Sequence, residues 1–470
     1  MRGLRADALL AWALLRGSPR GEWWRLALTG LGAALGTGFA LAAAVVAVIG
    51  TRYGGGPPRY TNGLLNEAGL RPGVVAVLLL LLVPVLAFVG QCARIGALRR
   101  ERRLAALRLA GASPGQVRRI SALETGAASG FGSLAGLAGF LALRMVLDSG
   151  ARPAATDDPA FHALTWPTDV PVPWIAAIPV VLVLPLMATA EAWLTLRRVA
   201  LDPVGAAVRR PHRTRTGPTL WLLGPVALLG GIALVLVGLS TDDWTAPVLP
   251  AVVAVLGLCA VGLVYSSAGL ALLTGRLATR SGRPSLLIAG ERLRADPWAA
   301  ARVHTAVMLA ALVGAGWAVM RRVTVEMLRD EPRYAAADAS FYVGGYNLAG
   351  LALLIGVAVT VGGLAVGVVE SVLTRRRTLA ALAAAGTPAK VLRRAVLLET
   401  ALPLTPAILL GGGLGLALVA PVVVIGQRSA LPLLEAALIA VGLLAAALLA
   451  TAASFPLLRR AVHPARLRYE

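Results

Sequence analysis

Long, uninterrupted apolar runs constrain this chain more than any other feature. Ten can be traced, near 26–49, 73–93, 122–147, 174–196, 218–239, 247–273, 303–320, 346–369, 396–425 and 430–457. A bilayer core about 30 Å thick needs about 20 helical residues to cross it. Lipid offers no water to satisfy an open backbone, so each run is predicted to cross as an α-helix. The seventh run is the shortest. The sixth and ninth are long enough to tilt or break. Only 14% of the 470 residues are charged, against about a quarter in a soluble domain. The expected fold is an all-α integral membrane protein with about ten transmembrane helices.

The remaining charge sets an orientation. Loops 1–25, 94–119, 197–217, 275–302, 375–394 and 459–470 hold 35 Lys and Arg residues. Loops 50–72, 148–172, 240–246, 321–345 and 426–429 hold 9, and Arg144, near a span end, completes the 45. Basic residues accumulate on cytoplasmic loops, so the first set and both termini are expected in the cytoplasm. A net charge of +22 on a soluble protein would suggest nucleic acid. Here the bases stand at span ends, where they face anionic lipid or a cytoplasmic partner, and no nucleic-acid partner is expected. The basic start and apolar run have the form of a signal peptide. An amphipathic stretch, Leu4–Leu15, and a basic turn, Arg16–Arg20, precede the run, so the first span is expected to remain in the mature chain.

Other chemistry is sparse. Cys92 and Cys259 lie inside apolar runs and read as small hydrophobes. His162, His212, His304 and His463 stand far apart with no metal-ligand spacing, so no metal is expected. No nucleophile–base pattern is visible and no enzymatic activity is expected. Glu191, in the fourth span, has no evident partner.

A repeat organises the spans. Shifting the chain by 275 residues aligns 102–125 with 377–400 without a gap, and 12 of 24 positions are identical. They include Arg102, Leu104, Leu107, Gly111, the Arg118–Arg119 pair and Glu124, matched by Arg377, Leu379, Leu382, Gly386, Arg393–Arg394 and Glu399. Fainter echoes flank them: Arg16–Pro19 before the first span and Arg294–Pro297 before the seventh. The predicted layout is two four-helix repeats, 1–210 and 285–470, joined by two linking spans within 211–284. An even number of linking spans keeps both repeats in one orientation.

Each repeated segment lies between the second and third spans of its half. Apolar residues recur at helical spacing (Leu104, Leu107, Ala110). Gly111 suits the left-handed residue that ends a helix, and Pro114 suits the first turn of the next. Gly386 with Thr387 and Pro388 repeats the pattern. The prediction is a short helix, a sharp turn, and a helix running into the membrane. Glu124 and Glu399 start the third and ninth spans, where a carboxylate complements a helix N-terminus. Pairing with Arg118/Arg119 or Arg393/Arg394 is expected, either as a local salt bridge or to pass motion. A short helix with a small-apolar face either lies at the lipid surface or docks in a partner's groove. Two equivalent pegs suit a two-fold symmetric partner.

The pattern Arg-x-Leu-Ala-x-Leu-x-x-x-Gly, with a Glu about a dozen residues later opening a span, resembles the FtsX/MacB-like ABC permease family. It occurs at 102–124 and 377–399, and the Pro203–Arg209 and Pro464–Arg468 tails are similar to that family's. The ten-span layout resembles the permeases of bacitracin-type resistance systems. The resemblance implies a bacterial plasma-membrane permease docked on a cytoplasmic ABC ATPase dimer, one permease chain with two ATPase chains. Loops 99–119 and 374–394 would be the coupling helices. Their residues would be Arg102, Leu104, Leu107, Gly111, Ala112, Val117, Glu124, Arg377, Leu379, Leu382, Gly386, Thr387, Leu392 and Glu399. ATP and Mg would bind the partner, since the chain has one lysine, Lys390, and no GxxxxGK[ST] phosphate loop. Loops 50–72 and 321–345 leave no room for the large extracytoplasmic domain common in such permeases. Efflux or extraction of a hydrophobic or amphipathic compound (lipid, antibiotic or peptide) by mechanotransmission is the leading expectation. An ATPase-coupled sensor of antibiotics or envelope state, without transport, is the alternative. An ion-coupled transporter lacks central charge pairs in the sequence.

Overall fold

The computed structural model describes residues 20–52, 60, 63–66, 71–92, 106, 109–148, 152–153, 162–164, 166–200, 248–330, 336–425 and 433–456. Among these, eight helices are long and apolar enough to cross a membrane, and a shorter apolar stretch covers Trp174–Ala190. The expected span at 218–239 lies outside the described residues. The chain divides into two compact units, Met1–His212 and Arg213–Glu470.

The first unit contains α1 (Arg20–Arg52), α2 (Gly63–Asn66), α3 (Arg71–Leu80), α4 (Leu82–Cys92), α5 (Pro114–Asp148) and α6 (Trp174–Ala200). The second expected span is thus divided between α3 and α4. Pro84 lacks the N–H that would bond the carbonyl of Leu80, and its ring crowds that carbonyl. By contrast α6 stays continuous with Pro179 and Pro185 inside it. The repeated segment lies at one end of these helices, the near end. At the opposite, far end a small cap closes the unit. Strands β1 (Arg152–Pro153) and β2 (His162–Ala163) pair antiparallel, and Tyr60 bridges to Leu164. Tyr60 is buried with Leu41, Val45, Ile49 and Val170, and its hydroxyl donates to Asp169 Oδ1 at 2.9 Å. Arg144 donates to the carbonyls of Thr168 (2.9 Å) and Val170 (2.7 Å), so this residue holds the cap on the end of its span.

Helix α1 runs through the core and packs on α5, α6, α4 and α3. Its approach to α5 is close because both helices present small residues. A Cβ added at Gly132 would collide with the backbone of Gly30, and one at Gly136 with the backbone of Ala34. On α6, Ile175, Ile178, Leu182 and Leu186 are exposed, a stripe at helical spacing suited to acyl chains.

The second unit contains α7 (Val248–Ala278), α8 (Pro284–Ala295), α9 (Pro297–Asp330), α10 (Ala336–Thr374), α11 (Arg376–Ala384), α12 (Ala389–Ile425) and α13 (Leu433–Ala452). The sixth and ninth expected spans, anticipated as tilted or broken, lie in the continuous helices α7 and α12. The stretch 275–302, anticipated as a loop, is instead the end of α7, a turn, all of α8 and the start of α9. Gly290 and Gly275 face each other across the α7–α8 hairpin, and an added Cβ at Gly290 would lie 2.8 Å from the Gly275 carbonyl oxygen. Helix α9 is the core helix here and packs most extensively on α12. A Cβ at Gly411 would collide with the Met308 carbonyl, and one at Gly415 with that of Leu312. Gly136 and Gly411 stand 275 positions apart, the offset of the repeated segments, and each brings its helix against the core helix of its own unit. Helix α9 has 34 residues. At 1.5 Å per residue it is about 51 Å long, more than the apolar core of a bilayer needs. Stretch 321–345, anticipated as a loop with at most one short helix, is mostly the extended ends of α9 and α10.

Candidate functional site

The second copy of the repeated segment is described completely. Helix α11 ends in a Schellman motif. The N–H of Thr387 donates to the Leu382 carbonyl (3.0 Å), and the N–H of Gly386 donates to the Ala383 carbonyl (3.0 Å). Gly386 has φ +89°, the left-handed conformation expected of it. The chain then turns at Pro388, whose carbonyl accepts from Val391 (2.9 Å) and Leu392 (3.3 Å) as α12 begins.

One face of α11 is a wedge in the near end of the unit. Leu379 is 5% exposed. It packs with Val372 of α10 and with Leu392 and Val396 of α12, against Ile288 of α8 and Leu382 and Ala383 of its own helix. The opposite surface is small and open: Ala381, Ala384, Ala385, Gly386, Pro388 and Ala389 are exposed, with Arg377, Lys390 and Arg394 around them. Leu379, Leu382 and Leu392 therefore hold the loop, while Ala381, Ala384, Ala385 and Gly386 present it.

Glu399 fastens this arrangement from beneath. Its Oε2 accepts from Arg375 Nη2 at 3.0 Å, and its Oε1 lies 3.4 Å from Arg292 Nε. Arg375 also donates to the Ser371 hydroxyl (2.7 Å). One carboxylate thus links the α10–α11 junction, α8 and α12. The expected partners Arg393 and Arg394 are not the ones used. They precede Glu399 by six and five residues on a helix, and only residues three or four apart face each other there.

The first copy is described from Leu109 onward, with Ala106. Arg102, Leu104 and Leu107 lie outside the described residues, as do the tails 203–209 and 464–468. Gly111 has φ +93°, matching Gly386. The turn after it carries a capping box. Ser113 N–H donates to Gln116 Oε1 (2.8 Å), and Gln116 N–H donates to Ser113 Oγ (3.2 Å). The Ser-x-x-Gln spacing is the sequence signal for this box, beyond the helix-ending glycine and proline that mark the turn. The second copy has Pro388 and Val391 at those positions and cannot form the box. Ala112 is half-buried and Val117 buried. Glu124 is 1% exposed, more deeply set than Glu399. Arg118 lies with its guanidinium 4.9 Å from the Trp193 ring of α6, a cation–π contact. Leu109 is 91% exposed, where the second copy has Ala384. It lies on the tip, outside the inward-facing apolar spacing, so helical periodicity does not pick it out.

Residues 73–201 match the family described as FtsX-like permease C-terminal. Over those residues the chain is similar to an FtsX-like permease domain. A comparison with curated proteins gave no match. The matched segment runs from α3 to the end of α6 and encloses the first repeated loop, so the family's domain is the one that carries Gly111, Ser113 and Glu124. The FtsX-like family supports a multi-pass permease component of an ABC transporter in general, which works with an ATPase. Among the described residues no group of three or more His, Cys, Asp or Glu side chains is placed to hold a metal ion.

Proposed function

We propose that this chain is the membrane subunit of an ABC transporter whose two repeated loops dock on a separate cytoplasmic ATPase dimer, one permease chain with two ATPase chains. The observation that carries the reading is the mounting of α11. Its exposed surface is small and apolar with a basic rim, while Leu379 and Glu399 tie it to α8, α10 and α12. A push on such a peg moves three helices together. Closure of the ATPase would therefore reach the membrane as a displacement of the helix ends, with ATP and Mg confined to the partner.

In this reading the near ends and both termini are cytoplasmic, the membrane is a bacterial plasma membrane, and 1–210 and 285–470 are the two permease repeats around a 211–284 linker. Among the described residues the far end of the first unit carries a small cap, and apolar side chains face lipid on α6 and α13. Both favour export or extraction of a hydrophobic or amphipathic compound taken laterally from the bilayer.

Gly111 and Gly386 are poor places to test docking, because any side chain there strains a positive φ. Leu109 and Ala384 are exposed and have no such constraint. Leu109→Asp and Ala384→Trp should abolish co-purification with a co-expressed partner ABC ATPase and its stimulation by the permease, without changing the elution profile of the permease itself. Retention of both activities in the double variant would refute docking through these loops.

A further inference from the structure

Arg321 is a charged residue toward the end of a span, at the level of the lipid headgroups. It sits toward the far end of α9 at the register of Trp317 and Thr324, four residues after one and three before the other, so the three share a face. That face meets α10. Trp317 Nε1 donates to the Tyr346 carbonyl at 3.0 Å, and the Thr324 and Tyr346 hydroxyls are 2.9 Å apart. Gly350 leaves room for the indole, since a Cβ there would lie 2.6 Å from Trp317 Cζ2. Tryptophan and tyrosine settle at the level of lipid headgroups, so the pair marks that level on this unit.

Two adjacent arginines are treated differently there. Arg322 is compensated: its Nε bonds Glu326 Oε1 at 2.9 Å and its Nη1 bonds Glu435 Oε1 at 2.8 Å. Each carboxylate gives one oxygen, Oε1, to Arg322, and the second oxygen of Glu435, Oε2, is buried without a hydrogen-bond partner. The Nε of Arg321 is buried and has no hydrogen-bond partner. A buried guanidinium donor without an acceptor is unfavourable, and its planar fork matches two oxygens of a phosphate. Beside it on α10, Leu348, Leu351 and Leu354 are exposed, an apolar path for an acyl chain running toward the middle of the bilayer.

We propose that Arg321, framed by Trp317, Thr324 and Tyr346, binds a phosphate group presented by a membrane amphiphile. This rests on the second unit's far end alone and does not depend on ATPase docking. The test uses the full chain in dodecyl maltoside micelles, titrated with dibrominated phosphatidylglycerol or with dibrominated diacylglycerol, which lacks the phosphate. The chain has 10 tryptophans, so the signal is the quenching lost on Trp317→Phe.

The phosphate-bearing lipid should quench Trp317 at about tenfold lower concentration, the worth of one charge-assisted contact. Arg321→Gln should bring the two lipids together, and Arg321→Lys should keep part of the preference. Equal quenching by both lipids in the unsubstituted chain would overturn the proposal and needs no variant to fold. So would an undiminished preference in a well-folded Arg321→Gln chain. Full displacement by equimolar inorganic phosphate would remove the amphiphile from the assignment; persistence of the lipid supports it.

Discussion

Substituting Gly415 by alanine isolates the close approach between α9 and α12. An added Cβ would collide with the Leu312 carbonyl oxygen and lie 3.0 Å from its carbon and 3.2 Å from Ala315 Cβ. All three neighbours belong to the facing helix and two are backbone, so no side chain can rotate away. The helices must part, and overpacking of this kind costs about 1–3 kcal/mol. Gly412 and Gly413 lie on the same helix, and a Cβ added at either would meet nothing within 4 Å. Alanine there should stabilise instead, by about 0.5–1 kcal/mol, because glycine is the poorer helix former. Gly415→Ala gains the same helix propensity, so that effect cancels between the two variants, and the expected gap between Gly415→Ala and Gly413→Ala is the overpacking cost alone, roughly 1–3 kcal/mol. Thermal unfolding of the purified chain, followed by size-exclusion fluorescence, reads the order of the three variants. Equal melting temperatures for Gly415→Ala and Gly413→Ala, or a more stable Gly415→Ala, would refute the packing argument.

Other substitutions separate conformation, capping and the carboxylate clamp. Gly386→Ala meets no atom within 4 Å, so its whole penalty is the left-handed backbone, about 1–2 kcal/mol; Gly386→Asn should lose less in the same melting assay. Ser113→Ala removes one arm of the capping box and should cost about 1 kcal/mol, seen as faster amide exchange in the first turn of α5 and unchanged exchange in α12. Glu399→Gln weakens the links to Arg375 and Arg292, and hydrogen exchange in Arg376–Ala384 should rise while the far end of α12 stays protected. Tyr60→Phe removes the bond to Asp169 and should destabilise the far-end cap by about 1 kcal/mol, measured as faster amide exchange at Ala163 and Leu164.

Membrane-spanning character is the easiest property to read in this sequence, because an apolar run has one stable form in lipid. The left-handed glycines are equally legible: Gly111 and Gly386 each follow a helical pattern and precede turn formers. What sequence leaves open depends on contacts between segments distant in the chain. Sequence proximity pairs Glu399 with Arg393 and Arg394, yet Arg292, more than a hundred residues earlier, reaches it because α8 folds back along α7. That hairpin is itself hidden in the sequence, since α8 carries Arg292 and Arg294 and is short, so it resembles a charged loop. Glycine content shows that some helices could approach closely. Only the structure distinguishes Gly411 and Gly415, which face a backbone, from Gly412 and Gly413, which do not. The leucines of the repeated loop read as a docking surface; Leu379 and Leu392 instead anchor the loop, and the exposed tip is mostly alanine.

Site-specific cross-linking tests docking through the repeated loops most directly. In a chain with Cys92 and Cys259 replaced by alanine, a cysteine at Leu109, Ala384 or the far-end residue Met327 is treated with a short bifunctional reagent in the presence of the ABC ATPase. Docking through the loops should give capture of the ATPase from positions 109 and 384, strengthened by ATP, and none from 327. Capture from 327 alone, or from neither loop while the ATPase still co-purifies, would contradict it.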